Sequence, residues 1–380
     1  MLKRVLLCTS ALQVVNAKSV IDYLGEDSMN HIIILHPALL DVSKNIIFDI
    51  GEKLGYNSII DLTHINQKLS EKNKEFSLKQ SILTLKVKAY FNNRINNYEF
   101  AIKTIKTIIE DKIGVVDEIF YRMGYKHDDA LFIRALDGAN FKYGIEDGIG
   151  DYLPKYWKYM KFNKHEIFHG IKKSLIHIFL CILCIITTGK IKETKKLFLK
   201  PKIPWDINFS NIKYKKRKYV GEYFLKNIRR LFVEKPESKK KEIIIFGSLI
   251  PDPRFKIDTK REVDIYNSVI KQIIRTHKVN KSTIWYKPHP RLLYTSWLYK
   301  KNNLNCKIYD YEKNSLGEIE LCNPFIKAIY SVGSTSFLYA KELFNIDTYR
   351  IDIRNEDVHP SHHEKFHTIL SSFGIEEIVP

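Results

Sequence analysis

Residues His31–Pro37 read HIIILHP, with Ile32, Ile33, Ile34 and Leu35 in unbroken succession. A half-exposed strand alternates apolar and polar side chains, whereas a short run that is apolar on both faces belongs inside a parallel sheet covered by helices. The neighbouring segments agree. RVLLCTS (Arg4–Ser10) predicts a strand running into a polar loop, and ALQVVNAKSVIDYLG (Ala11–Gly25) has apolar residues at helical spacing with Gly25 as its stop. NIIFDIGEKLGY (Asn45–Tyr56) predicts a second helix and NSIIDLT (Asn57–Thr63) a third strand. Strands that alternate with helices imply a parallel sheet covered on both faces.

The pattern continues with a long helix around Phe100–Glu110, a strand in VDEIFYRM (Val116–Met123), a helix in HDDALFIRALD (His127–Asp137) and a strand plus loop in ANFKYGIEDGIGDY (Ala139–Tyr152). Between Lys190 and Lys241 the chain becomes dense in Lys and Arg, including KYKKRKY (Lys213–Tyr219), and carries scattered prolines, so a linker or domain junction is expected there. The α/β alternation then restarts. EIIIFGS (Glu242–Ser248), REVDIYNSVIKQIIRTH (Arg261–His277), STIWYKPHPR (Ser282–Arg291), NPFIKAIYSVGSTSFLYAKELF (Asn323–Phe344) and IDTYRID (Ile346–Asp352) supply strands, helices and the loops between them. With 380 residues there is room for two cores. The expected architecture is α/β, with two Rossmann-like domains facing across a cleft. Residues 1–220 form the first, with a basic and apolar insertion around 160–240, and residues 241–380 the second.

A hydrophobic share of 44%, with 22 Tyr and 21 Phe, excludes a disordered chain. The 62 Lys and Arg against 43 Asp and Glu give a formal charge of +19, which favours a polyanion or an anionic lipid surface as partner. Nucleic acid is not expected, because zinc-finger spacing, an RNA-recognition signature and an arginine-rich arm are all missing from the sequence. Five scattered cysteines in mostly apolar settings fit a reducing compartment, and Cys181 and Cys184 are expected to be buried thiols rather than a redox or metal pair. The start of the chain reads as a strand rather than a signal peptide, so a cytoplasmic location is expected. SLIHIFLCILCIITT (Ser174–Thr188) is the most apolar stretch, but it falls short of the ~20 residues that span a bilayer. The primary expectation for it is a buried helix; the flanking Lys172, Lys173, Lys190 and Lys192 keep an interfacial helix as the alternative.

Four polar features fall at predicted strand ends, where open α/β sheets bind ligands. They are Glu146-Asp147-Gly148, Gly247-Ser248, Lys287-Pro288-His289-Pro290-Arg291 and Gly333-Ser334-Thr335-Ser336. The last opens a helix, where hydroxyls and backbone N–H groups suit a phosphate, although Ser and Thr also cap helices that bind nothing. His289 lies between two prolines that stiffen its loop, and an imidazole near its ordinary pKa of about 6.5 gives up a proton to an anionic leaving group. A strand-capping loop histidine is the alternative. Glu146 and Asp147 can serve as a base toward a hydroxyl or face solvent in a turn; adjacency to Gly148 favours Asp147 as the base. HPSHHEKFH (His359–His367) contains ligand-like residues, but the sequence lacks a compact Asp-x-Asp pair and no metal site is expected.

IEDGIGDY (Ile145–Tyr152), YKPHPR (Tyr286–Arg291) and GSTSFLYAKEL (Gly333–Leu343), in that order, resemble the acidic-acidic-Gly, His-Pro and Ser/Thr-rich signatures of bacterial capsule-type sialyltransferases. Among these the α-2,8-polysialyltransferases are the nearest group, and CTSALQVVNAKSVIDYL (Cys8–Leu24) is similar to the opening of the related lipooligosaccharide sialyltransferases. The resemblance implies a GT-B fold and inverting, metal-independent transfer of sialic acid from CMP-sialic acid, with no cofactor. It implies a base at Asp147 or Glu146, with His289 as general acid toward the CMP phosphate. Ser334, Thr335 and Ser336 would bind phosphate, Glu318 the ribose, and Gly148, Lys287 and Pro290 would line the substrates; Gly247 and Ser248 are nucleotide-loop candidates by their position alone. The implied partners are an anionic glycan acceptor, the inner face of the cytoplasmic membrane and capsule assembly proteins. Two alternatives stay open: another GT-B-like envelope transferase using CMP-Kdo or CDP-glycerol, and a non-enzymatic basic scaffold docked on the membrane.

Overall fold

The computed structural model describes residues 3–25, 30–35, 41–62, 83–123, 130–146, 164–198, 206–236, 238–247, 259–288, 296–309, 316–353 and 370–379. The first sheet draws its strands from β1 (Lys3–Cys8), β2 (Asn30–Leu35), β3 (Ser58–Asp61), β4 (Glu118–Arg122), β5 (Phe141–Ile145), β6 (Ile207–Ser210) and β7 (Lys218–Tyr219). Their order is β3-β2-β1-β4-β5-β6-β7, and every pairing is parallel. The HIIIL run lies where its composition requires: Ile32 to Leu35 pair with Val5 to Cys8 on one side and Ser58 to Asp61 on the other, and all four are buried. Helices α1 (Ala11–Leu24), α2 (Asp41–Lys53), α3 (Leu83–Ile113), α4 (Ala130–Ala135), α5 (Lys164–Thr188) and α6 (Ile191–Phe198) connect or cover these strands.

The second sheet takes β8 (Ile243–Phe246), β9 (Ile284–Lys287), β10 (Lys307–Ile308), β11 (Ala328–Ser331), β12 (Asp347–Ile351) and β13 (Glu376–Ile378), in the parallel order β10-β9-β8-β11-β12-β13. Two parallel α/β sheets, each built outward from its first strand, constitute the expected double Rossmann-like architecture.

Two segments depart from expectation. The stretch anticipated as a linker carries β6, β7 and helix α7 (Gly221–Leu231), so it extends the first sheet instead of merely joining two domains. The basic run Lys213–Tyr219 spans the end of the connection from β6 and β7 itself; in the connection Lys215 Nζ lies 4.8 Å and Arg217 5.0 Å from the Tyr214 ring, an arrangement that lets a charge-rich turn pack. Gly221 begins α7 so close to the preceding turn that an added Cβ would stand 2.2 Å from the Asn211 carbonyl oxygen. Helix α7 then packs on α1, and its Phe224 and Ile228 share one core with Leu6 and Phe120 of the first sheet and Phe337 and Leu338 of the second domain.

The other departure is α5. One face is covered: Cys184 is buried with Phe91 and Ile95 of α3 and Leu197 and Phe198 of α6. The opposite face is open, which corrects the expectation of a fully buried helix. Among the described residues no helix is long and apolar enough to cross a membrane.

Candidate active site

The two domains touch through the carboxyl end of the first sheet. Glu146 follows β5 directly and is 1% exposed. Its carboxylate accepts hydrogen bonds from Ser210 Oγ (3.0 Å), Asn211 N (3.1 Å) and Asn211 Nδ2 (2.8 Å), all at the end of the neighbouring strand β6. A further donor is the Tyr339 hydroxyl, which comes from helix α11 (Thr335–Phe344) of the second domain. Asn16 of α1 donates to the Glu146 backbone carbonyl (2.9 Å), and its own side-chain oxygen accepts from Asn211 Nδ2 (2.7 Å). Tyr339 is itself buried and packs on Phe224 with ring centroids 4.8 Å apart. A carboxylate out of water requires such a set of donors. These bonds fix the chain immediately before Asp147; Asp147 and Gly148 lie outside the described residues.

On the facing domain, the register aligns Lys287, Phe246 and Ser331 across three adjacent strands at their carboxyl ends. This is the reversal point of the strand order, where open α/β sheets hold ligands. Gly247 follows β8 and donates its N–H to the Lys287 carbonyl (2.8 Å). After β11 the chain turns through Gly333 into α11. Ser334 is the N-cap and accepts from the Ser336 N–H (3.2 Å), leaving the first turn of a ten-residue helix at the crevice. Thr335 opens that helix.

The short helix α10 (Gly317–Glu320) supplies the remaining predicted residue. Glu318 is buried and accepts from Ser336 Oγ (3.0 Å). Burial raises its carboxyl pKa above the usual range, against the opposing effects of local hydrogen bonds and Lys287. Lys287 is buried with its ammonium 4.7 Å from the Tyr309 ring. Burial pushes its pKa down to about 8, although Glu320 and Glu318 act in the opposite sense. Glu320 is held below its ordinary value: burial raises it, but Lys287, Lys241 at 3.2 Å and the Tyr309 hydroxyl at 2.8 Å more than offset that. Two lysines, Lys241 and Lys287, and two glutamates, the buried Glu318 and the partly buried Glu320, thus lie together beside the crevice.

Of the residues expected from sequence, the fold brings Gly247, Lys287, Glu318, Ser334, Thr335 and Ser336 to one edge of the second sheet and Glu146 to the facing edge of the first. Ser248, His289 and Pro290 lie outside the described residues, as does the histidine-rich His359–His367 stretch. Among the described residues no cluster of three or more His, Cys, Asp or Glu is arranged to hold a metal ion. Sequence reasoning missed Asn16, Ser210, Asn211 and Tyr339. A signal existed for one of them: Gln13 and Asn16, like Ser19, are polar residues among the apolar ones of α1, and all three are buried. Gln13 serves the adjacent loop, exchanging hydrogen bonds with the Thr9 N–H (2.7 Å) and Thr9 hydroxyl (2.9 Å) at the end of β1.

Two parallel α/β domains that meet at their strand ends, with a helix N-terminus on one side and the buried Glu146 on the other, have the GT-B architecture. The model of the alpha-2,8-polysialyltransferase family matches residues 4–351, and the chain belongs to that family. It is a sialyltransferase. Among solved structures, a sialyltransferase from Photobacterium damsela is similar at 9% identity and a TM-score of 0.44, covering 99% of this chain and 81% of that one. A UDP-GlcNAc 2-epimerase from Methanocaldococcus jannaschii aligns at 12% identity and a TM-score of 0.46, over 98% and 92% of the two chains. An E. coli heptosyltransferase aligns at 11% identity and a TM-score of 0.39, over 98% of each. No curated protein matches the sequence.

Proposed function

We propose that this sialyltransferase moves sialic acid from CMP-sialic acid to an anionic, sialylated surface glycan with inversion and without a metal. The single observation that carries this reading is the convergence of Lys287, Gly247, Glu318 and the Ser334–Ser336 turn at the reversal point of the second sheet. In it the donor phosphate lies at the start of α11, where the helix dipole favours an anion, and Lys287 supplies a full charge nearby. Glu318 takes the ribose hydroxyls. Gly247 and Ser248 complete the nucleotide loop, and Gly148 and Pro290 border the sugar.

Asp147 takes the proton of the acceptor hydroxyl as the new carbon–oxygen bond forms. The bond between the sialic acid anomeric carbon and the phosphate oxygen breaks, and His289 gives its proton to the departing CMP. Glu146 is assigned to positioning: both of its oxygens already accept hydrogen bonds, and a buried, occupied carboxylate is a poor proton acceptor for an incoming hydroxyl. For the acceptor, the exposed Lys213, Lys215, Lys216 and Lys218 follow Asn211 within a few residues, so a polyanionic chain entering at Glu146 meets a basic turn.

The test is release of CMP from CMP-sialic acid with a labelled oligosialic acid as acceptor, with the product read by mass and anomeric configuration. Transfer with inversion that survives EDTA and is abolished by His289→Ala and by Asp147→Asn is the expected result. Transfer from CMP-Kdo in preference to CMP-sialic acid, or retention at the anomeric carbon, overturns the proposal.

A further inference from the structure

The open face of α5 has no role in the chemistry above. Leu175, Phe179, Ile182 and Ile186 follow one another at intervals of four, three and four residues, which on an α-helix is a single stripe. All four are exposed, Phe179 by 62% and Ile186 by 74%, and Ile176 and Ile178 widen the stripe. Ile191 at the start of α6 extends it past the end of the helix. A soluble surface seldom leaves so many large apolar side chains contiguous and open, and such patches mark an interaction site. From Ser174 to Thr188 the sequence has no charged residue. Beyond it, Lys192, Lys195 and Lys196 are exposed on α6, and Lys172 and Lys173 precede it in sequence.

We propose that α5 and α6 form a membrane-docking element that lies in the surface of an anionic phospholipid bilayer, with the stripe among the acyl chains and the lysines at the headgroups. An apolar face bordered by lysines, on a helix too short in apolar length to span, has the chemistry of an interfacial helix. The occupant follows from charge. A second copy of the chain would bring another formal +19 toward this face, which opposes pairing. A polyanionic glycan would satisfy the lysines, but the stripe offers it only aliphatic and aromatic carbon. An anionic bilayer matches both halves.

The experiment is sedimentation of the full chain with vesicles of phosphatidylcholine alone and of phosphatidylcholine with phosphatidylglycerol. The expected result is binding to the anionic vesicles that weakens with salt. The double variant Phe179→Asp/Ile182→Asp is expected to lower the partition coefficient by roughly 100-fold, since each buried apolar side chain is worth at least about tenfold. Lys192→Gln, Lys195→Gln and Lys196→Gln are each expected to lower it by roughly fivefold. None of these residues lies in the site, so transfer to a soluble acceptor and the melting temperature should stay at wild-type values. Phe179→Trp gives a reading independent of the disruptive variants: its emission should move to shorter wavelength when anionic vesicles are added. Equal partitioning of wild type and the double variant, an unmoved Phe179→Trp emission, or a dimer in light scattering that the double variant dissolves while vesicles bind neither protein, each overturns the proposal.

Discussion

Replacing Glu146 by Gln distinguishes a positioning carboxylate from a catalytic base, because the two roles predict opposite pairs of outcomes. One oxygen of Glu146 accepts from Asn211 Nδ2 and the Tyr339 hydroxyl, the other from Ser210 Oγ and the Asn211 N–H. Hydroxyls can rotate and accept, but the two nitrogen donors cannot, so whichever oxygen becomes the amide NH2 leaves one Asn211 donor facing another donor. Hydrogen bonds to a charged group contribute about 1.5–3 kcal/mol each, and a stranded buried donor adds its own cost, so Glu146→Gln should destabilise the fold by about 3–5 kcal/mol. Tyr339→Phe removes two hydrogen bonds across the domain junction, the one donated to Glu146 and the one accepted from Asn211 Nδ2 (3.0 Å), and should cost about 2–4 kcal/mol; a double-mutant cycle with Glu146→Gln should return a coupling of about 1.5–3 kcal/mol. Denaturant titration gives these values, and transfer rates against pH give the second readout. Under the positioning role, Glu146→Gln lowers kcat but keeps the low-pH fall in activity that a titrating base imposes. Asp147→Asn should abolish transfer while leaving the hydrogen bonds of Glu146 in place, with stability within about 0.5 kcal/mol of wild type. A Glu146→Gln protein that unfolds like wild type yet loses the low-pH limb would refute the reasoning and make Glu146 the base.

The ammonium of Lys287, pushed down to about 8 by burial, is charged at neutral pH and loses its charge as pH rises through that value. Donor kcat/KM should therefore fall above about pH 8, and Lys287→Met should lower it throughout and remove that limb; a limb that persists in the variant would assign it elsewhere. Glu262 of helix α8 (Thr259–His277) is buried beside Tyr299, whose hydroxyl donates to it at 2.7 Å, and burial pushes its carboxyl up to about 7. The folded state thus holds a proton that the unfolded chain releases near 4.5, so this contribution to stability is full below pH 4.5 and is lost as pH rises through 7. Relative to wild type, Glu262→Gln should gain on the order of 3 kcal/mol between pH 5 and pH 8 in chemical denaturation, and parallel pH profiles would contradict the assignment.

The sheet strands of both domains were legible because their cores are covered on both faces, so segments such as Ile32–Leu35 and Ile243–Phe246 carry an uninterrupted apolar signal. Four strands were not, and two of them, β10 and β13, are only two and three residues long. Strand β7 is two residues long, and β6 ends in Ser210 and Asn211, polar residues buried to serve Glu146, so neither has the composition of a strand interior. Among lysines and prolines they read as linker. The end of β9 and the turn into α11 were legible from local chemistry, since a capping Ser-Thr-Ser and a Lys before a proline stand out after an apolar run. The partners of Glu146 were not, because Asn16 and Tyr339 are separated from it by 130 and 193 residues and each is an ordinary helix residue in its own segment. Helix α5 was misjudged for a different reason. Apolar side chains all round a helix imply burial only if neighbours exist to cover every face, and α3 and α6 cover one.

The two sheets share no visible sequence repeat, yet both place their first strand in the interior and run outward from it, third-second-first and then fourth-fifth-sixth. Right-handed crossovers between parallel strands explain this without common residues: reversing the direction of winding once is what puts helices on both faces of the sheet. Each reversal leaves a crevice between the carboxyl ends of the first and fourth strands. In the second domain those are β8 and β11, and the loops they release begin at Gly247 and Val332. The donor crevice therefore follows from strand order, and the Gly-Ser and Ser-Thr-Ser sequences only equip a position that the winding had already made. Glu146 is placed differently. It follows β5, one strand beyond the first sheet's reversal, and it is tied to the second domain by the Tyr339 hydroxyl, beside the apolar core in which Phe224 meets Phe337 and Tyr339. Its position against the donor crevice thus rests on side-chain contacts across the junction and not on strand order, so under the proposed function loss of the Tyr339 hydroxyl should lower transfer even where both sheets stay intact.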